Sequence, residues 1–179
     1  MSKNQKQNEE KTSQDKTIYI NRVAKVVKGG RRFNFTAMVV TGDESGSVGI
    51  GFGKASQVPE AIRKASGKAH SSKIKAPIVE GTVPHIVTGK YGATKVMLRP
   101  ASPGTGVIAS ATVRAILASA GYHNVLTKVI GSNNTHNVVK ATLDAIQKLE
   151  TPESFAVRLG KNVDEVRANY TVGSHIWNS

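Results

Sequence analysis

Nine residues, KVVKGGRRF (25–33), place Lys25, Lys28, Arg31 and Arg32 around two adjacent glycines, with apolar residues on either side. Ammonium and guanidinium groups this close together suit phosphate oxygens, and glycine removes side chains that would hold a polyanion away. Arg22 lies just upstream, and Lys54, Arg63, Lys64 and Lys68 form a second, sparser group of cations. Two other stretches invite nucleotide chemistry. SVGIGFGKA (47–55) approaches a phosphate loop, but G-x-x-x-x-G-K-[ST] needs glycine where Val48 stands and a hydroxyl where Ala55 stands. PASPGTG (100–106) puts Gly104, Thr105 and Gly106 ahead of a helical pattern, where backbone N–H groups could hold an anion.

A phosphotransferase built on that second loop would need carboxylates for Mg²⁺ and a base. Residues 76–151 hold only Glu80, Asp144 and Glu150, and these do not make a convincing site. The histidines (His70, His85, His123, His136 and His175) include no H-x-x-x-H pair, and there is no cysteine. No metal, cofactor, catalytic residue or small-molecule substrate is expected.

What remains is charge. The chain of 179 residues carries a formal net charge of +13 and has a pI of about 10.1. A balance this basic points to a polyanion: nucleic acid, or less often an anionic membrane surface. The bland reading is a solvated basic face. Residues 17–75 hold eleven cations against three acids, so the excess is concentrated there. No apolar run is long enough to span a membrane. The first 16 residues lack a signal-peptide core and read as a disordered polar tail. The absence of cysteine is compatible with a reducing cytoplasm.

The elements that must position these cations follow from periodicity. Ile18 to Val27 is β-like, Gly29-Gly30 signals a hairpin turn, and Phe33 to Thr41 alternates as a half-buried strand. In SVGIGFGK, Val48, Ile50 and Phe52 share one face of a third strand. Gly49, Gly51 and Gly53 leave bare backbone on the other, open to a helix or to an RNA strand. Pro59 opens a helix ending near Ser72, with Ala61, Ile62, Ala65 and Ala69 in one stripe. A boundary is expected between Pro77 and Gly81. Beyond it come a hairpin with a strand at Ala93 to Arg99, a helix from Val107 to Ala120 stopped by Gly121, a strand at Val125 to Ile130, and a helix from Asn137 to Leu149.

The expected architecture is α+β in two domains: a β-β-β-α unit over 17–76 and a β-β-α-β-α unit over 82–150, its two helices on one side of its sheet. Residues 151–179 read as a helical tail, with Trp177 as a packing anchor. Aromatic residues are sparse, and Phe33, Phe35 and Phe52 fall at core-facing positions. That disfavours a single-strand stacking platform and favours shape and backbone recognition of folded RNA.

Three long stretches then carry a family likeness. NRVAKVVKGGRRFNFTAMVVTGDESGSVGIGFGKASQVPEAIRKA (21–65), LRPASPGTGVIASATVRAILASAGYHNVLTK (98–128) and GSNNTHNVVKATLDAI (131–146) strongly resemble ribosomal protein five of the bacterial small subunit. The likeness covers roughly residues 17–168. It implies an N-terminal domain resembling a double-stranded-RNA-binding domain. It also implies a C-terminal α/β sandwich with a left-handed β-α-β crossover, against the usual preference. It implies a structural, cytoplasmic role in the ribosome: binding small-subunit ribosomal RNA at the body–head junction, contacting ribosomal proteins four and eight, and lining the path by which messenger RNA enters. The family is associated with decoding accuracy, messenger unwinding and spectinomycin sensitivity.

By matching motif, the resemblance places Arg22 and the tip from Lys28 to Arg31 against RNA. Ala24, Lys25, Val26, Val27, Lys28, Gly29 and Gly30 match the drug-associated loop, and Gly104, Thr105 and Gly106 match a loop near RNA or protein partners. The candidate RNA-binding set is therefore Arg22, Lys25, Lys28, Gly29, Gly30, Arg31, Arg32, Lys54, Arg63, Lys64 and Lys68. Two positions depart from the family pattern: Thr135 stands where many relatives have proline, and Arg32 where an apolar residue is common. Two other readings stay open: the phosphotransferase, and a free regulator of double-stranded RNA that does not travel with ribosomes.

Overall fold

The computed structural model describes residues 14–163 and 165. The chain runs β1 (Gln14–Val27), β2 (Gly30–Gly42), β3 (Ser47–Ala55), α1 (Val58–Ser71), β4 (Ile74–Lys75), β5 (Val87–Tyr91), β6 (Thr94–Pro100), β7 (Val107–Ile108), α2 (Ala111–Ala120), β8 (Val125–Gly131), α3 (Thr135–Gln147) and α4 (Pro152–Leu159). The first sheet is antiparallel, in the order β1-β2-β3-β4. The second has the order β5-β6-β8-β7, with only β7 and β8 parallel, joined through α2. The architecture is α+β, as the sequence pattern predicts.

The glycine face of β3 is taken by α1. A Cβ added at Gly49, Gly51 or Gly53 would strike the backbone carbonyl oxygen of Ala69, Ala65 or Ala61 respectively. Those three alanines recur every fourth residue along one helix face, and all are fully buried. Helix backbone thus rests directly on strand backbone. Of the two occupants the sequence allowed for this face, the helix is the one present. Ala37 and Val39 of β2 complete the small core beneath it, with Phe35 and Ile62 at its edge.

The opposite face of the same sheet is equally apolar. Met38, Val40, Val48 and Ile50 join Val113, Ile116, Leu117 and Ala120 of α2 in one cluster that continues into β6, β8 and α3. From Ala37 to Gly42, β2 is therefore buried on both sides, where its alternation had suggested a half-buried strand. The β2–β3 turn closes this contact through its backbone. Asp43 Oδ1 accepts from the N–H groups of Ser45 and Ser47 at 3.0 and 2.9 Å. The turn then donates Glu44 N–H to Ser119 O (3.1 Å) and Gly46 N–H to Ala120 O (2.9 Å), satisfying carbonyls at the end of α2. Gly121, with φ +101°, ends the helix where a Cβ would meet the Glu44 backbone. Tyr122, buried, donates its hydroxyl to Pro77 O at 2.8 Å, and burial alone pushes its pKa well up.

Three local expectations change. Gln14, Asp15 and Lys16, read as polar tail, are the first residues of β1 and pair with Gly42, Thr41 and Val40. Their side chains have partners. Asp15 accepts from Thr41 Oγ1 at 2.5 Å and from the Ser66 hydroxyl on α1, and lies 3.3 Å from His70 Nε2. Val107 and Ile108, read as the start of a helix, form β7 beside Val125 and Leu126, and α2 begins at Ala111. Phe33, read as core-facing, is 44% exposed. The remaining helices lie where periodicity predicts: α3 rests on Gly89 of β5 through Ala141 and Ala145, and α4 falls in the segment expected to be helical. Residues 1–13 of the expected tail, with His175 and Trp177, lie outside the described residues. No described helix is long and apolar enough to cross a membrane.

Two outcomes follow. Gly51→Ala places a methyl inside helix backbone that cannot yield locally, and should cost about 3 kcal/mol or more of stability, read as a lowered urea midpoint. At Asp15, desolvation pushes the carboxyl pKa up, but the hydrogen bonds from Ser66 and Thr41, then the nearby His70, outweigh it and hold it below the ordinary 3.8. A depressed carboxyl stabilises the fold above its unfolded pKa and loses that contribution as pH falls through the folded value. The group is partly solvated, so Asp15→Ala should cost at most about 1 kcal/mol at neutral pH. That difference should shrink as pH drops below 3.8, measured by urea unfolding across pH 3–6.

Candidate nucleic-acid interface

β3 pairs with β2 only as far as Ala55 opposite Phe35. Beyond that point β1 and β2 continue alone as a two-stranded ribbon, from Arg22 opposite Phe35 to Val27 opposite Gly30. Five residues of extended chain carry it about 17 Å past the third strand. From Ala24 to Phe33 every residue is exposed. The ribbon is an arm, and its base is held between α1 and α2.

Register assigns the cations to faces, because cross-strand partners point the same way. Arg22, Ala24, Val26, Arg31 and Phe33 share the face that continues the α1 side of the sheet. Lys25 and Arg32 are partners on the opposite face, and Lys54, opposite Thr36, extends that face inward along β3. Lys28 occupies the turn. The candidate cations thus surround the arm instead of lining one side. Arg63, Lys64 and Lys68 sit exposed on α1, where Arg63 is already paired with Glu60 at 3.1 Å. Among the described residues, Arg22, Lys25, Lys28, Arg31, Arg32, Lys54, Lys64 and Lys68 form no ion pair. The acids lie elsewhere: no Asp or Glu occurs between Lys16 and Gly42, and Asp43 and Glu44 are at the other end of β2. Folding sorts the charge, leaving the arm purely cationic.

The turn differs from the expected Gly29-Gly30 pair. Lys28 and Gly29 are its two unpaired residues, while Gly30 is the first residue of β2. Only Gly30 has a positive φ, +135°, a region L side chains rarely adopt. Among the described residues, nothing beyond the adjoining chain lies within 4 Å of a Cβ at either glycine. The segment matched to a drug-associated loop, Ala24 to Gly30, is mostly strand, with only Lys28 and Gly29 unpaired.

One feature escaped the sequence pattern. The Arg22 guanidinium carbon lies 3.7 Å from the centre of the exposed Phe33 ring. The two residues are one diagonal step apart across the ribbon, a pairing visible only once the register is known.

The loop at Gly104, Thr105 and Gly106 is a different object. Asn124 Oδ1 accepts from both Gly104 N–H (3.0 Å) and Gly106 N–H (3.1 Å), and Thr105 N–H bonds to Ser102 O. The donors that could have held a phosphate are occupied, and β7 stands between this loop and α2. Two of the three acids, Asp144 and Glu150, are occupied as well. Asp144 accepts from Lys148 Nζ and from Lys90 N–H; those bonds, led by that of Lys148, keep its carboxyl below the usual range, while Glu150 pairs with Arg158 at 2.9 Å. Asn134 caps α3 by accepting from His136 N–H at 3.0 Å, so the helix begins at Thr135 with a side-chain cap and no proline in its first turn. Among the described residues no group of three or more His, Asp or Glu is placed to hold a metal.

Gly30→Ala should destabilise the hairpin by about 1–3 kcal/mol through its strained φ. Gly29→Ala should leave the free protein's stability within about 0.5 kcal/mol. Thermal unfolding of both variants, with NMR contacts between Val27 and Gly30 as the local readout, distinguishes them.

Comparison with known proteins covers most of the chain. Residues 13–77 match the N-terminal domain of ribosomal protein S5, and residues 89–158 match the C-terminal domain of ribosomal protein S5. The small ribosomal subunit protein uS5 of Syntrophobacter fumaroxidans is 56% identical over 153 residues, which is 86% of this chain and 92% of that protein.

Proposed function

This chain belongs to the ribosomal protein S5 family, and we propose that its β1–β2 arm is the part that grips ribosomal RNA. The family is structural and non-enzymatic, and the chain is a component of the small ribosomal subunit. The observation that carries the arm's role is its charge. Five exposed cations surround a ribbon without acidic residues, and none is neutralised by a partner within the described residues. Cations on both faces suit insertion between phosphates of two neighbouring strands or helices better than adhesion to one flat surface. Gly29 and Gly30, with open space around them, let RNA backbone come close to the turn.

In this reading Arg22, Lys25, Lys28, Arg31 and Arg32 are the primary phosphate contacts. Lys54 extends the face that carries Lys25 and Arg32, and Lys64 and Lys68, with the paired Arg63 beside them, form a second surface on α1. We place the protein, on the family's pattern, at the body–head junction of the cytoplasmic ribosome. Ribosomal proteins four and eight are its neighbours there, the messenger path lies alongside, and the protein supports decoding accuracy. The loop at Gly104 to Gly106, rigid through Asn124, serves as a shaped contact surface. Drug response at Ala24 to Gly30 acts through the shape of the hairpin end.

Each phosphate contact contributes about 0.9 to the slope of log affinity against log salt. Lys28→Ala combined with Arg31→Ala should therefore reduce that slope by about two for small-subunit ribosomal RNA and weaken binding at low salt. Unchanged affinity and slope would remove the arm from the interface. A sucrose gradient of cell extract should place the protein with small subunits. Most of it sedimenting apart from them would favour the free double-stranded-RNA regulator instead.

A further inference from the structure

Phe33 is 44% exposed and belongs to neither apolar cluster, although Phe35, one pleat inward on the same face, packs against the core beneath α1. The Arg22 guanidinium carbon lies over its ring, 3.7 Å from the centre. Val26, on the same face, is 75% exposed, and Arg31 stands opposite it. An aromatic and aliphatic patch two pleats deep, flanked by two arginines, thus lies on one face of the arm, while the other face carries Lys25, Arg32 and Val27.

Phosphate binding does not explain an aromatic ring here. An exposed ring stacked with a guanidinium presents planar surface, and the planar partner in RNA is a nucleobase. At 3.7 Å from the ring centre the guanidinium is in contact with Phe33, and it forms no hydrogen bond or ion pair among the described residues, so its N–H groups can donate to a phosphate or to a base acceptor. We propose that the Arg22–Phe33 stack is a platform for one unpaired nucleobase of the bound RNA, with Arg31 holding a flanking phosphate. The proposal rests on the RNA-arm reading and adds a preference to it. An uninterrupted duplex keeps every base face inside its own stack, so the platform selects RNA in which a base is bulged or looped beside a helix. Stacking is tolerant of base identity, so the platform reads unpairing, not sequence.

The test uses the full chain and two RNA duplexes of equal length, one perfect and one carrying a single bulged 2-aminopurine. The wild type should bind the bulged RNA tighter by about fivefold or more, with the reporter's fluorescence changing as it stacks. Phe33→Leu should abolish both the preference and the fluorescence change while keeping affinity for the perfect duplex and its salt slope. Phe33→Tyr should keep both. Arg22→Lys, which retains the charge but loses the plane, should reduce the preference. Equal affinity of the wild type for the two RNAs overturns the platform and leaves the phosphate-gripping arm standing. Preference surviving in Phe33→Leu overturns it too, as does equal weakening toward both RNAs, which would make the ring a support for the ribbon. Binding to neither RNA at low salt overturns the arm reading and this inference together.

Discussion

The contact on which the other arrangements depend is the approach of α1 to β3. Three glycines on one strand meet three alanines on one helix, and the helix carbonyls occupy the space where strand side chains would be. A helix this close covers its face of the sheet with very little side-chain volume. The larger side chains of β3, Val48, Ile50 and Phe52, all point the other way, where they need a second cover. α2 and α3 provide it: Phe52 meets the His136 ring at 4.3 Å, and Val48 and Ile50 enter the large core. The two family domains consequently share an apolar core. The turn between β2 and β3 serves both, because its N–H groups bond carbonyls at the end of α2.

That double cover accounts for the arm. A two-stranded ribbon is marginal alone in water. Here its strands continue into a sheet clamped on both faces, and Asp15 ties the far end of β1 to β2 and α1. The arm can then be given over to charge and glycine, since its register is held at its base. The position of the acids matters as much as that of the cations. Asp15, Asp43 and Glu44 are engaged at the end of the sheet away from the arm, in hydrogen bonds or with His70 and Lys16, and the arm keeps an undiluted positive field.

The chain's glycine-rich stretches resemble one another in composition and do three different jobs. Gly30 provides a backbone angle, the β3 glycines provide closeness, and Gly104 and Gly106 shape a loop bound to Asn124. None is a nucleotide loop. For SVGIGFGKA this was legible, because two required residue types are missing. For PASPGTG the shortage of carboxylates argued the same way, but the occupant of its N–H groups was not legible, since Asn124 lies some 20 positions away in sequence. The same limit applies to Phe33. Alternation put it on the face of Phe35, correctly, but alternation cannot say where along a strand the cover ends.

What the residues determined by themselves was local and periodic: the hairpin, the three long strands, the helices, the basic character of residues 17–75 and the family likeness. These follow from interactions within a few residues, such as turn geometry, apolar stripes and the helix stop at Gly121. Tertiary structure decided what depends on a distant partner. The two-residue strands β4 and β7 exist only through pairing, and a Val-Ile pair suits strand or helix equally until Val125 and Leu126 lie beside it. The polar start of β1 became strand because Gly42, Thr41 and Val40 were there to pair with it. The division of Arg22, Arg31, Lys25 and Arg32 between two faces, and the meeting of Arg22 with Phe33, were set by cross-strand register. Register is fixed by the clamped sheet at the base of the arm, not by the arm's own sequence.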